Sequence, residues 1–156
     1  MPPAEDASPD QDTVLEALYR YSHAIDHGDV ADFVDCFTPS AVFEVRYGDP
    51  GENLRFEGSE ALGGLFATIR GLDGPFKHLI ELPLITMTSP SEAEVVSYSV
   101  VFSGAGTPHV HALGRYLDRL DRGQDGKWRL AERVAEVDAT EGKRQFVDAS
   151  SSILEQ

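Results

Sequence analysis

Apolar positions at 14, 15, 18, 21 and 25, with Ser22 among them, keep the period of a helix that buries one face. Asp10 can cap the start of this helix and His27-Gly28 stops it. Asp29 then caps a second helix, which buries Val30, Phe33, Val34 and Phe37 and ends before Pro39. Over 41–47 the period changes to two, with Ala41, Phe43, Val45 and Tyr47 alternating against polar neighbours, which predicts a strand. Gly48-Asp49-Pro50-Gly51 is a turn signal, and 54–58 reads as a short return strand. Ser59 is placed to cap a third helix over 60–69, with Leu62, Leu65, Phe66 and Ile69 inward, and Gly71 to Pro75 breaks it. Four long β-rich segments follow, at 76–87, 92–103, 109–120 and 127–137, separated only by short turn-forming runs. Links this short join antiparallel neighbours, because parallel pairing needs long crossovers.

Helices first and a long meander afterwards predict an α+β domain. The expected shape is a cone, in which a strongly curved, mainly antiparallel sheet wraps three N-terminal helices and leaves a cavity for a small molecule. Residues 1–9 are expected to be a disordered lead-in, 10–139 the cone domain, and 140–156 a polar tail whose Phe146, Val147, Ile153 and Leu154 could fold back as a lid. One sheet face would be left outward, Val96, Tyr98, Val100 and Phe102 or their alternates. A homodimer or higher homo-oligomer is expected to cover it.

Composition narrows the partners. The 156 residues are 41% hydrophobic, enough for a single core. The net charge of −14 disfavours nucleic acid and anionic membranes as partners, since both attract basic surfaces. There is no long apolar run and no signal-peptide pattern, so a cytoplasmic location is expected. The single cysteine, Cys36, lies in an apolar helix and reads as a core residue.

The candidate chemistry begins with Asp26, one residue inside the end of helix one and on the edge of its buried face. Such a carboxylate needs a partner or an altered pKa. His78 opens the first long strand. If that strand packs beneath helix one, the two can meet, with His78, Ile80, Leu82 and Leu84 on one face. A histidine held by a carboxylate is a general base, although a purely structural bond or a surface histidine fits the spacing too. Tyr21 lies five residues before Asp26, roughly 140° round the helix, so its ring must reach across. Arg133 shares a strand face with Ala131, Ala135 and Val137. It either points into the cavity or joins surface pairs with its neighbours. His109-x-His111 is half of a metal site with no third ligand in view, so no metal is expected. Gly114 beside Tyr116 suggests a bulge or a close approach. No phosphate loop, nucleophile elbow or dinucleotide fingerprint is present, and the residues suit acid–base work without a cofactor.

Several stretches together resemble the SnoaL-like branch of the nuclear transport factor 2-like superfamily. They are Tyr-Ser-His-Ala-Ile-Asp-His-Gly-Asp at 21–29, Phe-Thr-Pro-Ser-Ala-Val-Phe-Glu-Val at 37–45, Phe-Glu-Gly-Ser-Glu-Ala-Leu at 56–62, Lys-His-Leu-Ile at 77–80, and Gly-Arg-Tyr-Leu-Asp-Arg-Leu at 114–120 with Asp-Gly-Lys-Trp-Arg-Leu at 125–130. That branch includes scytalone dehydratase, a bile-acid 7α-dehydratase, a hexachlorocyclohexane dehydrochlorinase and polyketide cyclases. The resemblance implies that Asp26 orients His78 as the base and that Tyr21 assists, with Arg133 near the position of an arginine late in the sheet. Ile25, Val45, Ala112 and Gly114 stand where scytalone dehydratase has polar site residues, so scytalone is not the expected substrate. The expectation is a cofactor-independent lyase, dehydratase-like, acting on a hydrophobic cyclic molecule. Phe43, Val45, Tyr47, Val110, Ala112 and Tyr116 are expected to line its cavity. A polyketide or terpenoid cyclase or isomerase built on the same dyad is the alternative, and a binding protein or accessory subunit is a third reading.

Overall fold

The computed structural model describes residues 9–49 and 52–155. The expected lead-in falls outside these residues except for Pro9, as does the Pro50-Gly51 half of the predicted turn. Helix α1 (Pro9–His27) is followed by α2 (Val30–Asp35), whose cap is built as expected. The Asp29 carboxylate accepts from the Asp32 amide, and the Asp32 side chain accepts from the Asp29 amide in return. Strands β1 (Phe37–Arg46) and β2 (Leu54–Glu57) precede α3 (Gly58–Arg70). Strands β3 (Phe76–Ser89), β4 (Glu92–Ser103), β5 (His109–Arg122) and β6 (Trp128–Thr140) form the meander, and α4 (Lys143–Leu154) closes the chain.

The fold is α+β: helices packed against one curved sheet of six strands in the order β2-β1-β6-β5-β4-β3. The meander pairs antiparallel throughout, whereas β1 runs parallel to β6. The core lies between the sheet and the helices. Leu18 of α1, Phe33 of α2, Leu62 and Leu65 of α3, and Leu130 and Trp128 of β6 are all fully buried there. Each such side chain contributes about 1.5–3 kcal/mol by leaving water. Among the described residues, no helix is long and apolar enough to cross a membrane.

Local period and tertiary packing part company in four places. Strand β1 starts at Phe37, four residues earlier than the alternation suggests, and takes in Pro39. The ladder to β6 is irregular between Phe37 and Val42, so the missing proline N–H costs no regular bond. Ser59 lies inside α3 rather than capping it, because Gly58, with φ +83°, already turns the chain into the helix. Leu82 and Leu84 do not share the inner face with His78. A bulge between Glu81 and Leu84 breaks the alternation, and both leucines are exposed, 71% and 75%. The tail is largely helical: α4 buries Val147 and Ser150, and Ile153 packs against Gly64 of α3. On the outer face of the sheet Val96, Tyr98 and Phe102 are exposed, while Val95 and Ser97 point inward.

Candidate active site

A cavity of about 440 Å³ opens between the sheet and the helices. Tyr21 of α1 and Tyr116 of β5, both buried, form its floor, and Phe43, Val45 and Ala112 are among its apolar walls. Half-buried His109 and exposed Glu141 mark the mouth, and Lys143 and Phe146 of α4 also line the cavity.

His78 faces this space from the start of β3. Its Nδ1 lies 2.6 Å from Oδ1 of Asp26, and its backbone N–H donates to Oδ2 of the same carboxylate at 2.9 Å. Both side chains are nearly buried, 10% and 7% exposed. One carboxylate therefore fixes both the backbone and the ring of His78, and turns Nε2 toward the cavity. Asp26 is itself held by the way α1 ends. Gly28 donates to the Ala24 carbonyl, where a Cβ would lie 2.9 Å from that oxygen. Arg70 of α3 donates to the carbonyls of Ile25 and Gly28, satisfying helix-terminal acceptors beside the dyad.

Beneath the floor, Arg133 does not reach the cavity and does not pair on the surface either. Its side chain is fully buried and donates through Nε and Nη2 to both oxygens of Asp118, each at 2.8 Å. The guanidinium lies between two phenol rings, 4.2 Å from the Tyr21 centroid and 3.9 Å from that of Tyr116. Burial pushes the Tyr21 phenol well above its ordinary range. Tyr116 is also raised by burial, but the Arg133 charge and a hydrogen bond from Tyr21 pull it back. Burial raises the Asp118 carboxyl as well, with Arg133 opposing. Arg133 thus acts on the site only through the two tyrosines.

The expected cavity residues Phe43, Val45, Tyr47, Ala112 and Tyr116 all line it. Val110 does not. It sits on the outer face and is 44% exposed, because a bulge in β5 lies between it and Ala112. His111 is the extra residue of that bulge, and its ring lines the cavity 4.8 Å from the ring of Phe76. Among the described residues, no group of three His, Cys, Asp or Glu is arranged to hold a metal ion. His23 and His27 are exposed, and His27 Nε2 lies 2.6 Å from the ammonium of Lys77. The Cys36 thiol is buried and pushed up to about 11, mainly by desolvation, which makes it a core residue and a poor nucleophile.

Sequence reasoning missed Asp118, Ser99, Ser103, Glu141 and Lys143. Asp118 alternates inward with Tyr116 and Leu120, a signal the pattern does carry. Glu141 reaches the mouth because its amide donates to the His111 carbonyl at the end of the β5–β6 ladder, and Lys143 because α4 starts beside it.

Residues 6–134 match the family of SnoaL-like domains. The chain belongs to that family. No curated protein matches it in sequence. A nuclear transport factor 2-like protein with a cystatin-like fold from Novosphingobium aromaticivorans is similar to this SnoaL-like protein with a TM-score of 0.71 and 24% identity, over 88% of each chain. From the same organism, a candidate scytalone dehydratase reaches 0.70 at 19% identity, over 84% of this chain and 85% of that one. The beta subunit of a candidate aromatic-ring-hydroxylating dioxygenase, again from that organism, reaches 0.71 at 20% identity, over 84% and 90%. At these identities the likeness establishes the fold, and one fold hosts both an enzyme and a subunit.

Proposed function

We propose that this SnoaL-like protein is a cofactor-independent acid–base lyase that removes water from a hydrophobic cyclic substrate. The observation that carries the reading is the Asp26–His78 pair aimed into an apolar-walled cavity. His78 Nε2 takes the proton from a ring carbon next to a carbonyl, as a positioned imidazole can. The C–H electron pair becomes the new C=C bond and the neighbouring C–O bond breaks. The departing hydroxide recovers the proton from His78 and leaves as water. Charge that builds on the carbonyl oxygen meets the Tyr116 hydroxyl, supported by Tyr21 and by the Arg133 cation behind both rings. Asp26 keeps the imidazole turned and stabilises the imidazolium.

Cyclisation or isomerisation would begin with the same proton abstraction, so the product decides between them. An accessory-subunit role is supported by the fold alone and leaves the buried dyad without a purpose. The test is a panel of cyclic β-hydroxyketones, followed by ultraviolet absorbance of the enone and by product mass. Wild type is expected to turn over at least one member. His78→Gln should lose roughly 10²–10⁴-fold in rate, and Asp26→Asn should lose activity while staying folded. Undiminished turnover by His78→Gln would overturn the mechanism, and a product of unchanged mass would replace elimination by isomerisation.

The same reading includes a homodimer in the cytoplasm. Its interface is the outer sheet face, where Leu84, Tyr98, Phe102 and Leu113 are exposed side by side on β3, β4 and β5. Light scattering after gel filtration is expected to give twice the monomer mass, and Leu84→Asp with Tyr98→Asp to give the monomer. A wild-type monomer at micromolar concentration refutes it.

A further inference from the structure

His111 and Glu141 are not used by the elimination step, yet both face the cavity. The pairing of β3, β4 and β5 fixes where His111 stands relative to the dyad. His78 pairs with Val101, Val101 pairs with Ala112, and His111 is the bulged residue next to Ala112. The two imidazoles are therefore rooted two strands apart, about 10 Å at the backbone. Both lean into one cavity lined by Val101 between them.

The surroundings of His111 fix its role. At the mouth, His109 directs Nδ1 to the Thr107 carbonyl at 2.8 Å and Nε2 to Glu141 Oε2 at 2.9 Å. Two acceptors require two ring protons, so His109 is an imidazolium and occupies the Glu141 charge. The Thr107 carbonyl and then Glu141 raise its pKa accordingly. The same Oε2 lies 3.7 Å from Nδ1 of His111, which favours the tautomer with its proton on that nitrogen. Burial lowers the pKa of His111, with Glu141 opposing and the His109 and His78 rings adding to the fall. A neutral ring with Nδ1–H toward the mouth leaves Nε2 as a lone-pair acceptor turned inward. Phe76 packs against the ring and holds it there.

We propose that His111 is a hydroxyl-binding group: its Nε2 accepts a hydrogen bond from a hydroxyl on the substrate ring, across the cavity from the position attacked by His78. The inference rests on the reading that the cavity takes a hydrophobic ring. It narrows the substrate class to rings that carry a retained hydroxyl besides the one eliminated.

The probes are 2-naphthol and naphthalene, which fit the cavity and differ only in the hydroxyl. Their dissociation constants are measured by calorimetry for wild type, His111→Leu, His111→Gln and His78→Gln. One neutral hydrogen bond predicts that His111→Leu weakens 2-naphthol by about 3- to 10-fold and leaves naphthalene bound as tightly as before or tighter. His111→Gln, whose amide oxygen can also accept, is expected to recover part of the loss. Side-chain ¹⁵N spectra should show the Nε2 resonance of His111 move with 2-naphthol and stay with naphthalene. Equal weakening of both probes in His111→Leu would mean that the ring only packs, and would overturn the proposal. Loss of hydroxyl preference in His78→Gln alone would put the hydroxyl at the dyad and overturn it too. Binding of neither probe by wild type would overturn both the subsite and the apolar-ring reading. Preserved hydroxyl discrimination in a protein that eliminates no water would sink the lyase reading and leave the subsite standing.

Discussion

Replacing Asp118 by Asn is the sharpest test of the pair beneath the cavity floor. Asp118 and Arg133 have fully buried side chains and share two hydrogen bonds of 2.8 Å. Asparagine keeps one acceptor for the fork but turns an NH2 group toward the second N–H and removes the countercharge. Arg133 also has Nη1 without a hydrogen-bond partner, so the site has no reserve from which to make good the loss. Breaking a buried pair on one side costs about 3–5 kcal/mol, because the remaining charge stays desolvated. For a chain of this size each kcal/mol moves Tm by about 2–4 °C, so Asp118→Asn should melt about 6–20 °C below wild type. Urea unfolding at constant m gives the same quantity independently. Replacing both partners, Asp118→Leu with Arg133→Met, removes the charge and its desolvation together and should recover most of the stability. The recovered protein would still lack the cation between Tyr21 and Tyr116, a contact worth about 0.5–2 kcal/mol, so on the proposed mechanism its rate should fall by about tenfold. A single substitution that costs under about 1 kcal/mol would show that the pair is not held as a buried ion pair. A double variant as unstable as the single one would show that shape, not charge, sets the cost.

Two further outcomes follow from packing and titration. A Cβ on Gly114 would lie 1.9 Å from the Glu136 carbonyl oxygen, a backbone atom that cannot turn aside. Gly114→Ala should therefore cost about 3 kcal/mol or more by urea unfolding and displace the strand that carries His111 and Tyr116; a change within experimental error would refute the close approach. Tyr47 is pushed up to about 12 by burial and by Glu52, and Tyr21 and Tyr116 are raised too, so the folded state holds these protons more tightly than the unfolded chain does. The sign is that of a raised pKa: the stabilisation is complete below the ordinary phenol value of 10.0 and is lost as pH climbs from there toward 12. The urea midpoint should drop between about pH 10 and pH 12, and a midpoint flat across that window would refute it.

What could be read in the sequence was whatever depends on near neighbours along the chain. The stripe from Val14 to Ile25, the Asp29 cap and the strand that opens at Phe76 are each set within a few residues, and these stand where the local signals put them, up to the bulge after Glu81. The partnership of Asp26 with His78 was accessible as a hypothesis because both lie at element ends, where packing α1 on β3 leaves few choices. Contacts that depend on register were not accessible. Arg133 pairs with Asp118 because those two positions are opposite in the β5–β6 ladder, and no periodicity within either strand specifies that alignment. The α4 helix is different, since Phe146, Val147, Ser150, Ile153 and Leu154 do carry helical spacing, hidden by a polar composition.

The failures of alternation are not scattered evenly with respect to function. A bulge in β3 turns Leu82 and Leu84 outward, away from the face that His78 occupies and onto the proposed subunit interface. A bulge in β5 turns His111 inward and leaves Val110 outside. Beside it the ladder shifts again at Gly114, where β5 meets Glu136 too closely for any side chain. An extra residue in a strand disrupts pairing, so such a defect persists only where the re-aimed side chain or the added curvature compensates. In this sheet both compensations coincide: the curvature opens a cavity over the helices, and the β5 bulge sets the His111 ring facing into it opposite His78, which is regularly paired and held by Asp26. Deleting His111, which restores regular pairing between β4 and β5, should therefore leave a protein at least as stable as His111→Leu with a flatter, smaller cavity. A deletion variant that still prefers 2-naphthol to naphthalene would break the link between the bulge and hydroxyl binding.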